Sequence, residues 1–219
     1  MPTILTAAAL GGSSKTDAES YCNCMEEIRC RVTVIKGVVN GSISTQYLAF
    51  NQELVFAQFR MILELMAFGS IIANKAVYSA TYKKFSEHWH AERILKDLEK
   101  VNPHFYPVAL GPCERQPDGV KHFKGTTEPV LTKDDFIFLY NTCGKMLHTR
   151  NPFTKEDPNI PLRYSVMDWV SRIEKLLSSH LVGLLDGNLW IVTIPSRGAI
   201  HAAIAALKPG IANGEAEGN

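Results

Sequence analysis

The sequence predicts a mainly α protein, a helical bundle of about five helices carrying a small C-terminal antiparallel β-hairpin or three-stranded element. Three observations lead there. Apolar residues recur at spacings of three and four through five stretches, the pattern of a helix with one buried face. Those stretches are bounded by Asn40-Gly41, Asn102-Pro103 and Asn151-Pro152, which end helices, and by Ser/Thr residues, which cap them. Near the C-terminus the helical period gives way to two short apolar runs around Asp186-Gly187-Asn188, the pattern of a tight hairpin.

The first helix is expected from about Asp17 to Val39, with Tyr21, Met25, Ile28, Val32, Ile35 and Val39 on one stripe. A second, of about 27 residues, follows a cap at Ser44 or Thr45. Leu48, Val55, Phe59, Ile62 and Met66 form its main stripe, and Phe50, Leu54, Phe56, Leu63, Leu65 and Phe68 make its other faces apolar too. A helix apolar nearly all round is expected at the centre of a bundle. The third helix runs from about Ser79 to Val101 and stops at Asn102-Pro103, because the residue before proline is pushed out of the α region. Residues 102–131 hold five prolines and read as a long irregular loop. Thr132 with Asp135 begins a fourth helix in the manner of a capping box, and Val166, Trp169, Ile173 and Leu176 mark a fifth. Residues 180–208 form the expected β element, in which 199–207 suits a strand or, by its alanines, a helix. Residues 1–16 and 209–219 read as flexible tails around a bundle spanning 17–179.

Composition narrows the function. The chain has 219 residues, a net charge of +1, 46% apolar and 21% charged residues, which excludes a disordered protein and a broadly basic nucleic-acid coat. Five cysteines lack the spacing of a disulfide framework, and no secretory leader is evident, so a reducing, cytoplasmic setting is expected. The most apolar segment carries Glu53, Arg60 and Glu64, and no membrane helix is expected.

Those three charges lie seven and four residues apart on one helix and therefore share a face, which suggests a buried polar network that fixes helix register. Cys22, Cys24 and Cys30 would point to different helix faces, and no second ligand pair follows, so no metal is expected. Nucleotide-loop, GxGxxG, GxSxG and HExxH motifs are absent, and no cofactor is expected. The segment from Gly144 to Phe153 places His148, Arg150 and Asn151 together at a helix C-terminus. An imidazole there can move a proton and a guanidinium can hold a phosphate. Cations at that end also complement the helix dipole with no further role.

Glu64 to Lys75, Val101 to Pro107, Leu147 to Phe153 and the Asp-Gly hairpin with Trp190 resemble a group of uncharacterised bacterial helical proteins, a likeness that implies no assigned activity. More distantly, a compact helical bundle with Arg150-Asn151 near a helix end resembles the HEPN superfamily. That resemblance implies either a metal-independent ribonuclease of toxin or defence systems, or an inactive relative that binds RNA or proteins. The family's active motif sets a histidine a few residues after the arginine on one helix. Here Pro152 follows instead, and Arg115 with His122, which match the spacing, have Pro117 and Gly119 between them.

The expected function is thus a helical binding or accessory module from a bacterial defence or toxin-type locus, contacting a protein partner, itself or RNA, with no membrane or nucleotide cofactor. A HEPN-like endoribonuclease using His148, Arg150 and Asn151 is the alternative, and a purely structural bundle the third.

Overall fold

The computed structural model describes residues 3–8, 12–75, 91–115, 121–148, 162–184 and 187–207. In chain order the elements are β1 (Thr3–Ala8), α1 (Gly12–Val39), α2 (Leu48–Ala73), α3 (Ala91–Val101), β2 (Val108–Arg115), β3 (Lys121–Gly125), α4 (Lys133–Leu147), α5 (Val166–Leu177), β4 (Ser179–Gly183), β5 (Leu189–Thr193) and β6 (His201–Leu207). Among the described residues there are thus five helices and an antiparallel sheet, and helix predominates. The sheet is larger than a hairpin or three strands: it closes in the order β1-β3-β2-β4-β5-β6.

The extra strands correct two expectations. Residues expected as a flexible tail supply β1, which pairs with β3 on one side and β6 on the other and so closes the barrel. The expected irregular connection at 102–131 supplies β2 and β3. Both strands lack the alternation that identifies a strand. Gly111 and Pro112 interrupt β2, and the ladder absorbs them as a register shift between Leu110 and Cys113, since proline cannot donate a ladder hydrogen bond. The C-terminal meander β4-β5-β6 is in place, with Val182 opposite Trp190 and Trp190 opposite Ile204. Gly187, at φ +82°, makes its tight turn. Residues 201–207 are strand despite their alanines.

The sheet's two faces serve different cores. Val182, Trp190 and Val192 join the helical core, whereas Phe123 and Ile191 pack with Leu110, Leu181 and Leu189 in a small cluster of their own. Alternation along β4 and β5 sends successive side chains to opposite faces. Helix α1 packs against α2 and β6, α2 also against α3, α4 and β4, and α5 against β2 and β4. Helix α2 is thus the most connected helix, yet its outward face and first turn stay open to solvent. The third helix is described only from Ala91; the remainder of its expected span, from Ser79, lies outside the described residues, as do the expected tail 209–219 and the Asn151-Pro152 stop.

Two polar contacts fasten the layers. Asn102, buried just after α3, donates to Asn74 Oδ1 at 2.9 Å and to the Gly183 carbonyl at 2.9 Å, while Asn74 donates to the Ser70 carbonyl. This joins the ends of α2 and α3 to β4. Gly183 is required there, because a Cβ would lie 2.7 Å from the His104 carbonyl oxygen. On the sheet's helical face, His180 is fully buried. Its Nδ1–H donates to the Leu177 carbonyl at 2.9 Å, so Nε2 accepts from the Tyr21 hydroxyl at 2.8 Å. Burial drives the His180 pKa down to about 4, against the backbone bond that favours its charged form.

A histidine held neutral in the folded state stabilises it fully above the unfolded pKa, and that contribution is lost as pH falls through the folded one. The loss is expected between the ordinary value of 6.5 and about 4, and amounts to about 3 kcal/mol. Urea unfolding of the protein and of His180→Gln across this range checks it: the variant should lack that part of the pH dependence.

Candidate functional site

Arg60 and Glu64 sit one turn apart on α2, where it meets α4. Arg60 Nε donates to Glu64 Oε1 at 3.1 Å, and Nη2 donates to the Tyr140 hydroxyl at 2.9 Å. Tyr140 in turn donates to Glu64 Oε1 at 3.4 Å. The Arg60 guanidinium also lies 4.7 Å from the Tyr140 ring centroid, a cation–π contact. Nη1 rests over Gly144, 3.6 Å from where a Cβ would be. Tyr140, Gly144 and His148 follow one another at four-residue intervals, so the Arg60 cluster lies about one turn before His148 along α4.

The cluster is half-buried, with side-chain exposures of 30% for Arg60 and 20% for Glu64. Glu53 corrects the expectation of a three-charge buried network. It is exposed and makes no ion pair among the described residues. Two helical turns set it apart from the pair: a shared helix face places residues relative to each other, but leaves open where along the helix its neighbours stop, and α4 meets α2 at Arg60 and Glu64. Tyr140 was not among the sequence candidates; its only signal is the four-residue interval to Gly144 and His148.

His148 caps the C-terminus of α4, its backbone N–H donating to the Gly144 carbonyl, and its side chain is exposed. Arg150 and Asn151 lie outside the described residues, so only His148 of that trio is placed. The other end of α4 has the capping box expected from Thr132 and Asp135. There Asp135, 4% exposed, also accepts from Arg163 at 3.0 Å and Arg172 at 3.5 Å, tying α4 to the start and middle of α5.

Cys22, Cys24, Cys30 and Cys143 are free thiols. Burial pushes Cys24 up to about 11 and Cys143 up to about 12, the latter opposed by the nearby Arg60 charge, so neither is a ready thiolate nucleophile. Among the described residues no group of three or more His, Cys, Asp or Glu side chains is placed to hold a metal.

Two clefts open elsewhere. One, about 540 Å³, lies between the β2 irregularity and the end of α5, lined by Leu110, Phe123, Thr126 and Thr193 and spanned by the Lys175–Glu128 ion pair. The other, about 420 Å³, runs between α1 and α5 over Ile28, Val32, Ile173 and Leu177. Neither is lined by Glu53, Arg60, Glu64 or His148.

The outward side of α2 is a third feature. Tyr47, Phe50, Leu54, Ala57 and Met61 are spaced three and four apart, on the side opposite the buried Val55, Phe59, Ile62 and Met66. Tyr47, Phe50 and Met61 are 64%, 53% and 43% exposed. Val39, Ile43 and Leu48 are exposed beside them, at the tip of the α1–α2 hairpin. No charged residue occurs between Lys36 and Glu53. By length and hydropathy α2 is also sufficient to cross a membrane, with 56% of its apolar window buried in the protein.

No protein-family model, curated protein or solved structure matches the chain.

Because the Arg60–Glu64–Tyr140 cluster is half-buried, Glu64→Ala should cost about 1–2 kcal/mol, between the 0–1 of an exposed pair and the 3–5 of a fully buried one. Chemical denaturation of the variant measures it, and Tyr140→Phe should account for part of the same loss.

Proposed function

We propose that the protein is a helical binding module, an accessory protein of a bacterial defence or toxin-type locus acting in the cytoplasm through protein contacts. The single observation that carries this reading is the apolar stripe on the outer side of α2, continued onto the hairpin tip. Contiguous apolar surface of a few hundred Å² on a soluble protein marks an interaction site. The tip is also built to be covered. Thr45 N–H donates to Asn51 Oδ1 at 2.8 Å, Gln46 N–H to Ser44 Oγ at 3.0 Å and Ile43 N–H to the Gly37 carbonyl at 3.0 Å. These backbone donors are already satisfied, so a partner that displaces water leaves none of them unpaired. The free thiols support a reducing compartment.

A photo-reactive residue at position 50 or 61 should crosslink to protein in intact cells, whereas the same residue at the exposed Lys100 of α3 should not. Adducts no more abundant at 50 and 61 than at 100 would refute the reading.

A second reading, a HEPN-like metal-independent endoribonuclease, is favoured by one observation: Arg60 rests on Gly144, one turn before the exposed His148. In that reaction a ribose 2′-oxygen attacks the adjacent phosphorus and the bond to the 5′-oxygen breaks, leaving a cyclic phosphate and a 5′-hydroxyl. His148 takes the 2′ proton and returns it to the leaving oxygen, while Arg150 carries the phosphate charge and Asn151 positions the group. RNA cleavage in excess chelator, lowered about 100-fold by His148→Ala with melting temperature unchanged, is the expected result. No chelator-resistant cleavage would exclude this chemistry.

A further inference from the structure

We infer that the partner on the outer stripe of α2 is a second copy of this chain, paired antiparallel so that Glu53 of each copy meets Arg60 of the other. This rests on the binding-module reading and names its partner.

The stripe has the form of a coiled-coil seam. With Tyr47, the N-cap of α2, Leu54 and Met61 at a, Phe50 and Ala57 fall at d, with one apolar side chain at each seam position over two heptads. Among the described elements α1 and α4 occupy other sides of α2, leaving Tyr47, Phe50 and Met61 exposed and Leu54 and Ala57 half-buried along this seam. Ala57, near its middle, allows close approach of two helices. An uncharged seam meets its own copy without like-charge repulsion, which suits an isologous two-fold contact.

Charge fixes the direction. Glu53 and Arg60 each precede an a residue and so both occupy g, on the same flank, while the opposite e flank carries the neutral Asn51 and Gln58. Antiparallel helices bring g against g, which sets Glu53 opposite Arg60 of the other copy, twice by symmetry. A parallel pair brings g against e, which sets Glu53 opposite Gln58 and the Arg31 that donates to it, a guanidinium whose three nitrogens are already committed to Glu27 and Gln58. Glu53 is exposed without an ion pair among the described residues, and Arg60, although turned onto Tyr140 and Gly144 of α4, keeps 30% of its side chain exposed and leaves Nη1 without a hydrogen bond there. The sevenfold separation of Glu53 from Arg60 thus acquires a role between chains that it does not have within one.

The seam is short. Tyr47 and Phe50 are more than half exposed, and with aromatic side chains offering about 150–250 Å² each when fully buried these residues of the two copies contribute about 350–600 Å²; with Met61 and the half-buried Leu54 and Ala57 the interface stays under about 1,000 Å², at the small, reversible end for specific contacts. A concentration-dependent dimer follows.

Sedimentation velocity of the full chain over about 1–200 μM should show monomer and dimer exchanging, with a dissociation constant in the micromolar range. Met61→Glu, at a solvent-exposed seam position, should weaken the dimer at least about tenfold without altering the melting curve. Glu53→Arg should weaken it about tenfold as well, by opposing Arg60 of the other copy. A wild-type protein monomeric throughout, or a dimer indifferent to Met61→Glu, overturns the self-pairing. A dimer sensitive to Met61→Glu but not to Glu53→Arg overturns its antiparallel direction. Crosslinks from positions 50 and 61 to a different protein, with a monomeric wild type, would leave the binding module standing and remove only this inference; no crosslinks at all would remove both.

Discussion

Helix α2 is apolar on opposite sides, and the chain covers one of them. The rest of the molecule is arranged around that constraint. Val55, Phe59, Ile62 and Met66 are sealed by α1 and the helical core, so the long α1–α2 hairpin is secured through this buried stripe. The other stripe, ending at Tyr47 and a charge-free tip, is only partly covered by the fold of a single chain: Leu54 and Ala57 are half-buried, and Tyr47, Phe50 and Met61 are exposed. Long apolar area left in water is costly, and in this helix of 26 residues the exposed part is confined to the outer side of its N-terminal portion.

Polar contacts appear where α2 and its neighbours need to be placed as well as packed. Hydrophobic burial is non-directional and holds helices together without choosing their register. Arg60 gives α2 a specific position on α4, through Tyr140 and the side-chain-free surface of Gly144. Asn102 does the same for the ends of α2 and α3 on β4, and Tyr21 with His180 for α1 on the sheet. In each case a half-buried or buried polar group meets partners from different elements. Displacing one element leaves a donor or acceptor unpaired, which is how a few such contacts select one arrangement among many apolar ones.

Local rules made the helices legible. Spacing located the stripes of α1, α2, α4 and α5, the Thr132–Asp135 pair located the start of α4, and Asp186-Gly187 located the turn between β4 and β5. The strands β1, β2 and β3 were not legible, because their stability comes from partners distant in the chain: β1 lies between β3 and β6, and β2 contains a Gly-Pro step that only a ladder with an irregularity can accommodate. The candidate site divided in the same way. Arg60 and Glu64 are readable as an i, i+4 pair, but Tyr140, 76 residues beyond Glu64, enters only through tertiary packing. Glu53 looked equivalent to them because helical spacing reports a shared face, whereas its exposure depends on how far α4 extends along α2.

The claim on which the functional picture turns is that the outer side of α2 is covered in the working protein. Amide hydrogen exchange within residues 47–61, followed at low and high protein concentration, tests it most directly, because exchange there reports opening of the very helix in question. Protection that deepens with concentration in this segment, while peptides from α5 and β5 stay constant, is the predicted result. Equal exchange at both concentrations, with the N-terminal half of α2 no better protected in cells than in dilute solution, would contradict it.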